Sequence, residues 1–302
     1  MKAERSGYIY LLLTVFLFST YEVVSKTLVN KIDPFQINFI RFLIGGVILF
    51  CFLLYKSDIG VSLKDMGWLL LIGAINVALS MSLMQLSLYQ PNAKASVAAV
   101  VFSSNPIFVT IFSSLIDKEK VTMNKIMGLV VGMTGIIVVF SDKIGAAGFK
   151  SPLLALFSAI FYGLYTVMGR RLSVRVGSLK MNAYSFIGGS LVLLPFLLIF
   201  KHPVLNFDYS GIFQVMYLSV FVTGLAYLMY FKGLSILGAS KGSLVFFMKP
   251  VFASLIAVVF LGEKITLNLI FGTLLIISGI GIVIYWSAIK NWLVNLGIIK
   301  GS

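Results

Sequence analysis

The chain has 302 residues, a mean hydropathy of +1.03 and only 11% charged residues, whereas a soluble domain carries about a quarter charged residues. This composition predicts an integral membrane protein and excludes a soluble globular domain. The formal net charge is +14, but the basic residues lie in short gaps between apolar runs, where they act as orientation signals for membrane loops. We therefore expect the lipid bilayer as a partner and no nucleic acid.

Cysteine and histidine are too rare to build a metal site. Cys51 is the only cysteine and His202 the only histidine, so neither an intrachain disulfide nor a Cys/His cluster can form. The gaps between apolar runs leave no room for an ATP-hydrolysing domain, and no Walker-type loop is present. No apolar run holds the histidine or the paired aspartates of an intramembrane protease. We expect no enzyme activity, no metal and no cofactor, with proton coupling left open.

Ten apolar segments follow one another along the chain, each close to the roughly 20 residues that cross a hydrocarbon core. The first continues to about Val24, which is too long for the apolar region of a signal peptide. Residues 291–302 are a predicted cytoplasmic tail. The predicted transmembrane helices are 7–29, 35–55, 67–89, 95–116, 124–141, 152–170, 181–200, 211–231, 240–261 and 267–288.

The distribution of lysine and arginine predicts the orientation of these helices. With the N-terminus inside, fifteen of these residues fall at inner ends and seven at outer ends. The other two, Arg41 and Lys249, lie within predicted helices. We therefore expect a multi-pass protein of the cell (plasma) membrane with both termini in the cytoplasm.

Residues 95–139 and 239–283 repeat one pattern at a constant spacing of 144. Internal repeats of this kind are common in secondary transporters. Each half of the chain, 1–145 and 146–290, holds five predicted helices, and this odd number makes the second half enter the membrane upside down. The predicted fold is all-α, with ten transmembrane helices in two inverted five-helix repeats. The matched pairs include Phe102 and Phe246, Pro106 and Pro250, Gly128 and Gly272, and Gly135 and Gly279.

A hinge after each fourth helix carries a resemblance to a known family. The hinge at 119–124 reads Glu-Lys-Val-Thr-Met-Asn, and 263–268 reads Glu-Lys-Ile-Thr-Leu-Asn. With the proline in each fourth helix, and with Lys26 and Arg41, this pattern resembles the EamA-type drug/metabolite transporters over nearly the whole chain. The resemblance implies a ten-helix inverted-repeat carrier with a central cavity, moving metabolites such as amino acids, often outward. Glu22 departs from the family's pattern, which has an apolar or small polar residue there.

Charged residues within membrane helices are costly and by default mark function. Glu22 and Lys26 lie four residues apart on the first helix, so they share one face and can form an ion pair. In a second interpretation, Glu22 faces the cavity and binds a substrate ammonium group or a proton. Arg41, early in the second helix, is expected to snorkel outward or to join that pair.

Lys249 lies in the middle of the ninth predicted helix, directly before Pro250. Asn105 holds the equivalent place before Pro106 in the fourth helix. A lysine near the bilayer centre needs a partner, because it cannot easily reach water. We expect that Lys249 contacts a substrate carboxylate or phosphate, or that it neutralises Glu22 across the two repeats.

Pro106 and Pro250 are expected to kink their helices. Each removes a backbone donor and frees the carbonyl four residues earlier, at Phe102 and at Phe246. A kinked helix that lines a cavity can expose backbone polar groups that lipid would forbid. The kinks serve either packing or gating.

Other polar and aromatic residues within the predicted helices are candidates for the cavity. Gln85, Tyr162 and Tyr165 lie deepest and are expected to contact substrate. Gly128 and Gly132 are expected to pack helices within the chain, which leaves a monomer or a weak homodimer. The remaining candidates are Tyr21, Asn76, Ser103, Ser104, Tyr184, Tyr227 and Tyr230.

These observations lead to one functional hypothesis and two alternatives. We expect a carrier that moves a small polar metabolite by alternating access and most favour an amino acid, exported from the cell, because acid and base together suit a zwitterion. The substrate-binding residues would be Glu22, Gln85, Asn105, Tyr162, Tyr165 and Lys249. One alternative is an exporter of organic cations or drugs that uses Glu22. The other is an ion channel, although no filter-like loop or charged ring is evident.

Overall fold

The computed structural model of the protein describes residues 2–91, 93, 95–140, 149–206, 208–252, 255–256 and 267–295. Throughout this part of the chain the regular secondary structure is helical. Seven segments are long and apolar enough to cross a membrane, and two shorter apolar helices cover Met123–Val138 and Ile270–Val283. The protein is therefore an all-helical, multi-pass membrane protein.

The helices follow the predicted order, but ten membrane crossings are not established. Seven qualify by length and hydropathy among the described residues, and the predicted helix at 240–261 lies partly outside them. In chain order the helices are α1 (Glu4–Lys26), α2 (Pro34–Tyr55), α3 (Leu63–Tyr89), α4 (Val97–Ile116), α5 (Met123–Phe140), α6 (Lys150–Val176), α7 (Ser178–Ile199), α8 (Tyr209–Leu237), α9 (from Ala239, described to 252 and at 255–256) and α10 (Leu267–Asn295).

Helices α6, α8 and α10 extend beyond the ends that the apolar runs predicted, and the first two of them stop at a glycine. Helix α6 was predicted to end at 170 and continues to Val176, where Gly177 adopts a φ of +91°. Helix α8 continues from the predicted 231 to Leu237, where Gly238 adopts a φ of +85°. Basic residues near a predicted end do not stop a helix, because their long side chains can lie along it while their charges reach water. It is the glycines that end these helices, because only glycine adopts such a positive φ without strain.

Helices α5 and α10 pack against each other through glycines that hold equivalent positions in the two repeats. A Cβ atom at Gly128 would lie 2.6 Å from the Gly279 carbonyl oxygen, and one at Gly135 would lie 2.7 Å from the Gly272 carbonyl oxygen. Gly272 is the equivalent of Gly128, and Gly279 is the equivalent of Gly135. Each residue thus contacts the equivalent of the other, as in a two-fold interface, and the two helices run antiparallel. The glycines pack helices within the chain, as the sequence predicted.

We expect Gly279→Ala to lower the free energy of unfolding by about 1–3 kcal/mol, the usual cost of forcing an extra methyl group into a packed contact. The new Cβ would lie 2.7 Å from the Gly128 carbonyl oxygen. Gly281→Ala is the matched control, because a Cβ there meets no atom within 4 Å. Thermal unfolding in detergent measures both variants. An equal melting temperature for the two would contradict the close contact between α5 and α10.

A second feature of the repeat lies outside the segment that the sequence matched best. Helix α3 is wound as a π-helix over Ala74–Met81, and α8 is wound in the same way over Leu218–Leu225. The two stretches are again 144 residues apart. Small residues allow close packing against both, since a Cβ at Gly45 would touch the Ser219 carbonyl and one at Gly189 would touch the Gly73 carbonyl. The structural repeat therefore includes the third helix of each half.

The antiparallel repeats predict opposite faces for equivalent loops. Lys56 follows α2 and Lys201 follows the equivalent α7, and both side chains are exposed. Single cysteines at these positions, in a Cys51→Ser background, should react with a membrane-impermeant maleimide from opposite sides of the membrane. Because the charge distribution orients the protein, the cysteine at 56 should react only from the cytoplasmic side. Reaction of both from one side would contradict the inverted arrangement.

Candidate functional site

A buried ion pair joins the two repeats at the centre of the described structure. Lys249 Nζ in α9 donates a hydrogen bond to Glu22 Oε1 in α1, and each side chain is only 2% exposed. Glu22 Oε2 is buried and has no hydrogen-bond partner among the described residues. The Ser19 hydroxyl donates to the Lys249 carbonyl oxygen over 3.2 Å. Glu22 is therefore neutralised across the repeats, which is one of the two roles expected of Lys249.

The expected ion pair between Glu22 and Lys26 is wrong. Lys26 Nζ donates instead to the Leu88 carbonyl oxygen over 2.8 Å. Leu88 lies in the last turn of α3, where helix carbonyls lack partners within the helix. A lysine near a helix end can satisfy such a carbonyl and still reach water, whereas buried Glu22 requires a partner as deeply buried as itself.

Arg41 in α2 lies inside the protein, so of the two positions expected for it the outward snorkelling one is wrong. Its side chain is 1% exposed. Nε donates to Asn38 Oδ1 over 3.0 Å, and Nη1 donates to the Thr223 hydroxyl over 3.3 Å. The guanidinium carbon lies 4.7 Å from the centre of the Tyr21 ring, a distance typical of cation–π contacts. Nη2 is buried without a hydrogen-bond partner in the described part of the chain.

Arg41 and Lys249 line a small central cavity, whereas Glu22 is not one of its lining residues and is connected to it through Lys249. The polar side chains that line it are Tyr21, Arg41, Tyr162, Tyr227 and Lys249, and the apolar ones are Phe18, Met81, Met84, Phe102, Val222 and Phe246. The free space measures about 20 Å³, enough for about one water molecule. This space is too small for a metabolite, which would need the surrounding helices to move apart.

The buried charges do not cancel. Glu22, Arg41 and Lys249 are the charged side chains that are buried among the described residues. Glu22 contributes one negative charge against two positive charges, so one cation has no buried counter-charge. A charge is costly in a low-dielectric interior unless it is paired. Glu22 Oε2 and Arg41 Nη2 are the atoms of these charged groups that have no hydrogen-bond partner among the described residues.

The other predicted site residues lie around this cavity but have different contacts. Gln85 accepts a hydrogen bond from the Tyr21 hydroxyl over 2.6 Å, so it reaches the cavity through Tyr21. Tyr165 packs against Tyr162, with ring centres 5.7 Å apart. Asn105 is fully buried, and its Oδ1 has no hydrogen-bond partner within the described residues. Of the uncharged candidates, Tyr21, Tyr162 and Tyr227 line the cavity directly, whereas Gln85, Asn105 and Tyr165 do not.

Both prolines coincide with breaks in regular helix. In α4, two residues separate the stretch Ala95–Phe102 from the next helical stretch, which begins at Asn105. Pro106 lies in the first turn of this second stretch. The freed Phe102 carbonyl accepts a hydrogen bond from Asn105 Nδ2 over 3.2 Å. Asn105 thus replaces the backbone donor that proline removes.

The corresponding break in α9 has another form. Leu244–Met248 is wound as a 3₁₀-helix immediately before Lys249 and Pro250, and the Lys249 backbone N–H donates to the Phe246 carbonyl oxygen. This is the carbonyl that Pro250 leaves free. Lys249 caps the end of the 3₁₀ stretch, and the break therefore determines where this side chain points.

Sequence reasoning missed most of the apolar residues that line the cavity. Met81, Met84 and Val222 resemble ordinary membrane-helix residues, and their positions depend on the π-helical winding of α3 and α8. Phe102 and Phe246 carried a usable signal, because they are equivalent residues of the two repeats. In the structure their ring centres lie 6.0 Å apart. A search for aromatic residues repeated at the spacing of 144 would have identified this pair.

Comparison with known proteins identifies relatives over the whole length of the chain. The sequence profile described as the EamA-like transporter family matches residues 5–141 and again 149–285. An uncharacterized transporter of Clostridium kluyveri is 34% identical over 301 residues, 95% of each chain. The uncharacterized transporter YoaV of Bacillus subtilis is 27% identical over 85% of this chain and 89% of its own.

Two further comparisons agree with these. The uncharacterized inner membrane transporter YicL of Salmonella typhimurium is 27% identical, over 93% of this chain and 95% of its own. A solved crystal structure superposes with a TM-score of 0.75 at 20% identity, covering 94% of this chain and 97% of that one. The last comparison shows a shared fold.

Proposed function

This chain belongs to the EamA-like transporter family, and we propose that it is a carrier that moves an amino acid across the cell membrane by alternating access. The observation that carries this proposal is the buried cluster of Glu22, Arg41 and Lys249, in which Arg41 and Lys249 line the central cavity and Glu22 pairs with Lys249. Charged groups within the membrane domain of a transporter typically mark the substrate path. A mixed cluster with an excess positive charge suits a zwitterion whose carboxylate completes it.

The free polar atoms suggest how a zwitterion would bind. The substrate carboxylate would accept hydrogen bonds from Arg41 Nη2, which lacks a partner among the described residues, and from Lys249 Nζ. Hydrogen bonds between ions are about twice as strong as neutral ones. The substrate ammonium group would donate to Glu22 Oε2, which is also free within the described part. Both charged ends of an amino acid would thus find a partner.

The rest of the cavity favours an apolar side chain on the substrate. Its apolar lining consists of aromatic residues, methionines and a valine from five helices, α1, α3, α4, α8 and α9. Methionine side chains adapt to ligands of different shape. We infer that the carrier accepts large apolar amino acids in preference to small or polar ones.

Alternating access requires helices that can bend near the cavity. The breaks before Pro106 and Pro250 and the two π-helical stretches lie at this level, on α3, α4, α8 and α9. We propose that the two prolines are hinges and that the central cavity opens alternately to the two sides. We further propose outward movement, as in the resembling family, with Glu22 as the site of a coupling proton once Lys249 turns to the substrate.

The alternative of an organic-cation exporter is less well supported. It requires Lys249 to face away from the cavity, yet this lysine lines the cavity and pairs with Glu22. A permanent cation would add a third positive charge to the two already present. An ion channel would need a continuous water path, whereas the central free space is about 20 Å³.

A thermal-shift screen of the purified protein tests the proposed substrate class. A ligand that binds only the folded protein raises the free energy of unfolding by about 2.7 kcal/mol at a hundredfold excess over its Kd. We expect stabilisation by apolar amino acids such as leucine and phenylalanine. Sugars, nucleosides and quaternary amines are the comparison set. Stabilisation by quaternary amines alone would contradict the proposal and favour the cation exporter.

A further inference from the structure

A second polar cavity lies away from the central site, where three helix ends meet. The start of α3 contributes Lys64 and Trp68, the end of α4 contributes Asp117, and the end of α6 contributes Arg170, Arg171 and Arg175. Its volume is about 880 Å³, large enough for the headgroup of a lipid. By the charge distribution of the sequence, this is the cytoplasmic end of the bundle. No part of the transport proposal uses these residues.

The cluster holds more positive than negative charge. Arg171 Nε pairs with Asp117 Oδ1 over 2.7 Å, and Arg175 pairs with Asp65. Arg170 Nη1 lies 3.9 Å from Asp117 Oδ2, which is too far for a hydrogen bond. Arg170 Nε is buried and has no hydrogen-bond partner in the described structure. Two carboxylates therefore face four cations, and Arg170 has a donor to spare.

The carboxylate that lines the cavity is already paired with two arginines. Burial raises the pKa of Asp117 above its usual range, although the charges of Arg171 and Arg170 oppose this effect. Lys64 is exposed, and no salt bridge to it is formed within the described residues. Lys64 thus has no ion pair within the described residues, and Arg170 has one donor, Nε, that can take an external anion without breaking a hydrogen bond.

Apolar side chains stand directly beside these cations. Trp68 is 42% exposed and Val174 is 58% exposed, and Met168 and Leu172 complete the apolar side of the cavity. Tryptophan is enriched where a membrane helix meets the lipid headgroups. The cavity thus combines a site for an anionic group with a surface for acyl chains, and a soluble anion would use only the first.

We propose that this cavity binds the headgroup of an anionic phospholipid, with its phosphodiester between Lys64 and Arg170 and its acyl chains along Trp68 and Val174. Basic pockets between membrane helices at the cytoplasmic side are suited to such headgroups. The phosphodiester would supply the hydrogen-bond acceptor that Arg170 Nε lacks. The bound lipid would hold the ends of α3, α4 and α6 together.

Lipid titration of the purified full-length protein in a neutral detergent tests this site. We expect phosphatidylglycerol to raise the melting temperature and phosphatidylcholine with the same acyl chains to leave it unchanged. The double variant Lys64→Gln/Arg170→Gln should bind phosphatidylglycerol about thirtyfold more weakly, because each basic residue near an anionic lipid contributes roughly a factor of five. Lys56→Gln/Lys120→Gln removes two exposed charges outside the cavity and should bind with unchanged affinity.

Three results would overturn the proposal. Phosphatidylcholine could stabilise the protein equally, glycerol phosphate alone could produce the whole shift, or the double variant could bind like the wild type. If the double variant does not fold, Lys64→Gln alone decides the question, since this side chain is exposed. It should weaken phosphatidylglycerol binding about fivefold, and an unchanged affinity would count equally against the site.

Discussion

Lys249→Met is expected to abolish binding of the amino-acid substrate and to lower the free energy of unfolding by about 3–5 kcal/mol, the usual cost of leaving one partner of a buried ion pair alone. Methionine keeps the length of the side chain and removes its charge. Glu22, which is 2% exposed, would then have to be buried without its partner. Binding is measured by thermal shift with leucine, and stability by unfolding in the absence of ligand.

The double variant Glu22→Gln/Lys249→Met separates the two effects of this change. With both charges removed, most of the lost stability should return, because no unpaired ion remains buried. Binding should not return, because the groups assigned to the substrate are both gone. If Lys249→Met binds leucine with unchanged affinity, Lys249 has only a structural role and the zwitterion site is wrong.

Arg41→Gln is expected to weaken binding of the amino acid by about tenfold to 150-fold, since a hydrogen bond to a charged group is worth roughly 1.5–3 kcal/mol. The glutamine amide nitrogen can take the place of Arg41 Nε toward Asn38, but it does not reach Thr223 and cannot supply the positive charge. The amide of the same amino acid is the matched control ligand, because it has no carboxylate. Its affinity should be low and should not change between the wild type and the variant.

The role of Arg41 in carboxylate recognition is supported only if the variant loses affinity for the amino acid and not for its amide. If Arg41→Gln weakens binding of the amino acid and of its amide by the same factor, Arg41 acts through the packing of Tyr21, whose ring it contacts. In that case the guanidinium does not recognise the carboxylate. The melting temperature of the variant without ligand measures how much of any loss comes from this packing.

The repeat at a spacing of 144 was enough to predict the helical architecture in two halves and the packing of the α5 glycines within the chain. The partner of each glycine required the structure, because Gly128 contacts the equivalent of Gly135 and not its own equivalent. Sequence matching compares equivalent positions, whereas a two-fold axis brings non-equivalent positions together. The π-helical stretches were also beyond prediction, because their winding depends on packing against α2 and α7.

The candidate site shows the same limit. A spacing of four residues made Lys26 the obvious partner of Glu22, because the sequence gives reliable information only about neighbours on one helix. The observed partner, Lys249, is 227 residues away, and the sequence could offer it only as an alternative. The outward position offered as one alternative for Arg41 was wrong for a related reason. Whether an arginine snorkels depends on the depth and tilt of its helix, which the apolar run does not fix.

The most direct measurement of the central claim is counterflow in proteoliposomes made with the purified protein. Vesicles preloaded with excess unlabelled leucine are diluted into a trace of labelled leucine, without any ion gradient. A carrier that alternates between the two sides must accumulate the label transiently above its equilibrium level. The reason is that excess unlabelled leucine inside competes with the entered label for the inward-facing site, so the label leaves more slowly than it enters. We predict this overshoot for the wild type and its absence for Lys249→Met. Uptake that rises only to equilibrium, or an overshoot seen with a quaternary amine and not with leucine, would contradict the account.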